Sequence, residues 1–138
     1  MALTTTTHLN FDGDARAALE FYATVFGGDL ALMTYAMAHS ADQVDDPERI
    51  IFGSVSTADG FRVMAYDVQR ERAYAPGEHP FYISVRAHAE DEARRVWDEL
   101  VDGATVITPF GPSPWSSGYG MATDRFGVTW FVDVAPEG

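Results

Sequence analysis

The stretch GVTWFVDV, residues 127–134, repeats the plan of GFRVMAYDV, residues 60–68, and each is introduced by an acidic turn residue and a glycine. In the later copy Val128, Trp130, Val132 and Val134 alternate with Thr129, Phe131 and Asp133. A strand projects successive side chains to opposite faces, so the first set is expected against a helix and the second toward an open cavity. Laying Gly60 over Gly127 sets Met64 over Phe131, with Arg62 and Tyr66 as the inward neighbours of Met64.

The same order precedes both copies. THLNF alternates, with Leu9 and Phe11 on one face and His8 and Asn10 on the other. It runs into DGDARAALEFYATVFGG, where Ala15, Ala18, Leu19, Tyr22, Val25 and Phe26 recur at helical spacing. Asp12 or Asp14 is expected to cap that helix, and Gly27 with Gly28 to stop it. Three strand-like runs follow: LALMTYAM, IIFGSVST and FRVMAYDV. After the Pro/Gly-containing linker RERAYAPGEHP come the strand FYISVR, the helix HAEDEARRVWDELVDG, and the strands ATVIT, YGMAT and GVTWFVDV. On that helix Ala89, Ala93, Val96, Trp97 and Leu100 share a face, and Gly103 ends it. The expected fold is therefore α+β, two βαβββ modules from an internal duplication, spanning about 5–68 and 79–135 and forming one domain over 1–138.

Composition narrows the functions. There is no cysteine, hence no disulfide, thiolate nucleophile or Cys-based metal site. The nine basic residues face 21 acidic ones, for a net charge of −12, and form no stripe, so no nucleic-acid partner is expected. The N-terminal MALTTTTHLNF lacks the basic flank and apolar core of a signal peptide, and no apolar run reaches membrane-spanning length. A soluble, cytoplasmic protein with no membrane partner is the expectation. The segment HSADQVDDPE carries oxygen donors without the ordered spacing of a calcium loop and is read as a mobile acidic loop. Neither a Gly-x-Ser-x-Gly elbow nor a His-Glu-x-x-His helix occurs.

The repeated βαβββ order, together with LNFDGDARAALEFYATVFGG and WSSGYGMATDRFGVTWFVDV, resembles the vicinal-oxygen-chelate superfamily of glyoxalases, bleomycin-resistance proteins and extradiol dioxygenases, and within it the PhnB-like branch. The resemblance runs from about His8 to Val134. It implies curved mixed sheets around a pocket and a homodimer. Some PhnB-like relatives carry a ubiquinone-methyltransferase label, but no glycine-rich nucleotide loop follows a parallel strand here, and that label is not adopted.

In metal-dependent members of that superfamily, inward His, Glu or Gln side chains from the first and last strand of each half converge on one divalent ion. Here the expected carboxylate position falls on Phe131, and its duplicate on Met64. On the strand opening the second half, Phe81, Ile83 and Val85 are expected to be buried, leaving Pro80, Tyr82 and Ser84 inward, with His79 pointing elsewhere. Only His8 offers a donor. Asp133 is a displaced second candidate, and the pair makes a sparse site. No metal and no other cofactor is expected.

The turn ATDRFGV has a structural reading: Asp124 accepts backbone N–H bonds while Gly127 takes the unusual dihedrals, and Arg125 at the tip is a solvated charge. Trp115 and Tyr119 lie in PFGPSPWSSGYG, whose Pro and Gly content favours a shaped loop over a strand. They serve either as aromatic walls for a ligand or as a cover for the sheet edge. The expected function is binding of a small organic ligand in a pocket lined by His8, Asn10, Met64, Tyr66, Tyr82, Trp115 and Phe131. The alternatives are a superfamily enzyme with an atypical metal site or with His8 as acid/base, assisted by Asp133 or Tyr66, and a structural dimer with a filled cavity.

Overall fold

The computed structural model describes residues 4–77 and 81–136. The chain divides into two compact units, Met1–Pro76 and Gly77–Gly138. In chain order the first carries β1 (Thr7–Phe11), α1 (Ala15–Phe26), β2 (Asp29–Thr34), a short 3₁₀ turn at Ala41–Gln43, β3 (Ile50–Ser56) and β4 (Arg62–Asp67). The second carries β5 (Ile83–Ala87), α2 (Glu90–Leu100), β6 (Thr105–Ser113), β7 (Ser116–Thr123) and β8 (Thr129–Val134). The strand orders are β1-β4-β3-β2 and β5-β8-β7-β6. In each, the first and last strands pair in parallel and the others antiparallel. The βαβββ plan is thus present twice, and its register is duplicated too: His8 pairs with Met64 as Ser84 pairs with Phe131.

In the first unit α1 packs on β2, β3 and β4. Leu19, Tyr22 and Val25 on the helix are fully buried, as are Val55 and Ala65 on the strands, with Val63 nearly so. The helix stops where expected: Gly27 has φ of +70° and donates to the carbonyl of Ala23, a left-handed conformation that glycine adopts without a Cβ penalty. Its start differs from the expectation. Neither Asp12 nor Asp14 caps it; the cap residue Asp14 makes no side-chain cap bond. Asp67 from the end of β4 supplies the acceptor instead, its Oδ1 taking the N–H groups of Gly13 and Ala15 at 2.7 and 3.1 Å. Its Oδ2 takes the N–H of Ile50 at 3.0 Å. One buried carboxylate therefore joins the helix start, β3 and β4, and the Tyr35 hydroxyl donates to the Asp67 carbonyl at 2.6 Å. Tyr35 and Met37 lie beyond β2, which ends at Thr34, short of the run read from sequence.

In the second unit α2 packs on β5, β7 and β8, burying Ala93, Val96, Trp97 and Leu100. Trp97 approaches β7 so closely that a Cβ on Gly120 would sit 2.7 Å from its ring. That glycine is required by packing. The segment read as a shaped loop is instead a hairpin: β6 runs through Pro109, Gly111 and Pro112 to Ser113, and β7 starts at Ser116. Proline cannot donate to a ladder, but β6 is an edge strand with register shifts along its pairing to β7, and both features tolerate it. The expected burial of Phe81, Ile83 and Val85 is not found: Ile83 and Val85 are only partly buried, and Phe81 is more exposed still. It precedes β5 and is half exposed, and the buried residue of that strand is Ala87.

Candidate functional site

The open face of the first sheet is built by alternation. Leu9 and Phe11 of β1 are buried, which leaves His8 and Asn10 on the other side. In β4 the buried residues are Val63, Ala65 and Asp67, which leaves Arg62, Met64 and Tyr66. The parallel register sets His8 beside Met64 and Asn10 beside Tyr66. The imidazole of His8 meets the Tyr66 ring edge-on, with centroids 5.1 Å apart. The structure therefore brings four of the expected site residues onto one face.

The open face of the second sheet is aromatic. Trp130, Val132 and Val134 of β8 are buried, and Phe131 between them is partly exposed. Tyr82, just before β5, packs on Phe131 with centroids 5.3 Å apart. Tyr119 of β7 lies 5.6 Å from Phe131 on its other side, and Trp115 meets Tyr119 edge-on at 5.1 Å. Trp115 stands in the turn between β6 and β7, which explains why it is 57% exposed. Four rings thus form a continuous row from Tyr82 to Trp115, each meeting the next tilted or edge-on.

Two polar residues expected toward the cavity are already engaged. Asp133 is buried and takes both forks of the Arg86 guanidinium, Nε to Oδ1 at 3.1 Å and Nη2 to Oδ2 at 2.9 Å. That bidentate pairing raises the basicity of Arg86 and occupies the carboxylate considered as a displaced ligand or as a partner for His8. Thr129 is buried and shares a hydrogen bond of 2.8 Å with Thr123.

The turn at Asp124 holds the strand. Its Oδ1 accepts the N–H groups of Phe126 and Val128 at 2.8 and 3.0 Å, and its Oδ2 accepts the indole N–H of Trp130 at 2.9 Å. Arg125 is not merely solvated. Its Nε and Nη2 donate to the carbonyl of Asp102 just beyond α2, and Nη2 pairs with the Asp102 carboxylate at 3.1 Å.

At the two positions where the family resemblance leads one to expect metal ligands stand Met64 and Phe131, whose side chains carry no oxygen or nitrogen donor. Met64 stands beside His8, and Phe131 beside Ser84. Among the described residues no group of three or more His, Asp or Glu side chains is placed to hold one. His79 and Pro80 lie outside the described residues.

Comparison with known proteins fits this geometry. The family model described as the Glyoxalase/Bleomycin resistance protein/Dioxygenase superfamily matches residues 6–132. The chain belongs to this superfamily. It is similar to the solved structure of protein PA1353 from Pseudomonas aeruginosa, with a TM-score of 0.86 and 31% identity over 99% of this chain and 100% of that one. A PhnB protein from Bacillus cereus shares the fold, with a TM-score of 0.75 and 22% identity over 96% of this chain and 100% of that one. Protein YjdN of Escherichia coli K12 is 23% identical in an alignment 140 positions long that covers 94% of this chain and 94% of that one. Among the described residues, no helix of this superfamily member is long and apolar enough to cross a membrane.

Proposed function

We propose that this superfamily member binds a small, flat organic molecule, without a metal centre, on the open aromatic sheet face of the second unit, which carries Tyr82, Trp115 and Phe131; the open face of the first unit, with His8, Asn10, Met64 and Tyr66, is by itself a second surface suited to the same kind of ligand. The row of rings from Tyr82 through Phe131 and Tyr119 to Trp115 carries the reading. An aromatic surface recognises flat apolar groups, and the few polar side chains beside it orient them. Methionine and phenylalanine in place of oxygen or nitrogen donors make such a face better suited to holding an apolar molecule than to polarising a substrate oxygen. The two units form one domain in this reading, and two copies assemble as a cytoplasmic homodimer. Support for the dimer comes from the edge strand β6, which leaves Val106 and Ile107 about half exposed and its outer backbone groups open to pairing.

Elemental analysis combined with mass spectrometry under non-denaturing conditions tests the function on protein purified without added ligand. Mass from a co-purified organic molecule without stoichiometric metal supports it. One equivalent of zinc, nickel, iron or manganese per chain, lost on changing His8 to Ala, would instead establish a metal enzyme.

A further inference from the structure

Beyond β4 the chain stays close to the first sheet: Val68 donates to the Phe11 carbonyl, and Arg70 to the Gln43 carbonyl, each at 2.9 Å. This course leaves a cavity of about 360 Å³ next to the ends of β1 and β4. All nine basic residues of the chain are arginines, and three of them, Arg49, Arg70 and Arg72, line this cavity in a protein of net charge −12. Two are neutralised. Arg49 pairs with Asp12 and Arg70 with Asp45, each at 2.7 Å, and Arg70 also donates to the Asp42 carbonyl at 3.2 Å. The backbone N–H of Arg72 donates to the Gln69 carbonyl at 2.9 Å, while its guanidinium forms no side-chain hydrogen bond or ion pair among the described residues. Among the lining side chains, three arginines face the two carboxylates of Asp12 and Asp45, and the Arg72 guanidinium is the one left without an ion pair.

Two further walls refine the chemistry. Gln69 carries a buried Oε1 with no partner, an acceptor that burial penalises until a donor reaches it. Tyr74 also lines the cavity; burial, with Asp14 and Asp12 nearby, raises its pKa, so its hydroxyl remains a donor at neutral pH. Val44 and Val68 supply the apolar part of the lining. Asp12 and Asp45 also line the cavity, Asp14 lies near Tyr74 and Asp67 near Arg49; only exposed charges farther than about 8 Å are largely screened at physiological ionic strength.

We propose that this cavity is a second ligand site, separate from the aromatic face, which takes a small monoanionic carboxylic acid bearing a hydrogen-bond donor next to the acid group, of the hydroxy-acid or amino-acid type. The carboxylate pairs with Arg72 and accepts from Tyr74, the neighbouring donor satisfies Gln69 Oε1, and a short aliphatic group meets the two valines. A single free guanidinium matches one negative charge and not the two of a phosphate ester. This site does not depend on what the aromatic face binds.

Amide chemical-shift titration of the whole protein with L-lactate, propionate and inorganic phosphate tests it. Lactate is expected to give saturable shifts from Gln69 to Tyr74 at millimolar concentration. Propionate, which lacks the donor, should bind on the order of fivefold more weakly, the worth of one hydrogen bond. Arg72→Gln, a change at an exposed side chain, should abolish the lactate shifts at unchanged melting temperature, and Gln69→Leu should erase the preference for lactate over propionate. The proposal is overturned by no saturable shift with lactate, by shifts that persist in Arg72→Gln or appear at Phe131 instead, or by phosphate binding more tightly than lactate.

Discussion

Trp130 donates its indole N–H to Asp124 across 2.9 Å inside the second unit, and the same carboxylate accepts the N–H groups of Phe126 and Val128. This single side chain closes the turn and fixes the largest fully buried residue of β8. Asp124→Ala would remove three hydrogen bonds, two of them part-buried and the one to the Trp130 indole buried. The expected loss is about 2–4 kcal/mol of stability, measured by urea unfolding. Arg125→Ala, which removes a largely solvated pairing with Asp102, should cost no more than about 1 kcal/mol.

Asp67 plays the corresponding part in the first unit, between α1, β3 and β4. Asp67→Asn keeps the shape and one acceptor but turns a donor group toward a partner N–H. We expect it to destabilise by about 2–3 kcal/mol, and Asp67→Ala by at least as much. Asp14→Ala, at the position that was expected to cap, should change stability by no more than about 0.5 kcal/mol. Equal losses at Asp14 and Asp67 in thermal or urea unfolding would contradict the long-range cap.

Burial, with Tyr66 and Asp67 nearby, pushes the Tyr35 phenol above its ordinary pKa. The protonated form is the one the fold favours. Its contribution is therefore complete below the ordinary tyrosine value of about 10 and is lost as pH rises through the higher folded value. Tyr35→Phe removes the hydrogen bond to the Asp67 carbonyl and should cost about 1 kcal/mol at neutral pH. The difference between the two proteins should shrink above pH of about 10, as the wild type alone carries this titration. A difference that stays constant into the alkaline range would show that Tyr35 does not titrate against the fold.

Much of the fold was legible in the sequence because it rests on local periodicity. Val63 and Ala65 alternate with Met64 and Tyr66, Leu19, Tyr22 and Val25 recur at helical spacing, and Gly27 ends the helix that they define. What was missed depends on partners far along the chain. Asp67 caps a helix more than 50 residues earlier in the sequence, and no local pattern marks such a cap. Arg86 and Asp133 meet only because the parallel register of β5 and β8 sets them side by side. Pro109 and Pro112 argued against a strand, and the argument fails on an edge, where the missing N–H has no ladder partner to lose. Of the expected site residues, the placement of His8, Met64, Tyr66 and Phe131 on the face opposite the buried one followed from alternation. The cavity around Arg72 did not, since its walls come from separate loops with no shared pattern.

Light scattering coupled to size-exclusion chromatography at micromolar concentration should give the mass of a homodimer. A monomer throughout that range would contradict the proposed assembly and remove the proposed role of the β6 edge.

Binding of a flat apolar molecule to metal-free protein tests the central claim. The measurement is a chemical-shift titration of chelator-treated protein with naphthol, run on the wild type and on Trp115→Ala. The account expects saturable shifts at Tyr82, Tyr119 and Phe131, with affinity weakened by on the order of 1–3 kcal/mol in Trp115→Ala at unchanged melting temperature. Absence of shifts at these rings, or shifts that appear only once a divalent metal is restored, would contradict it.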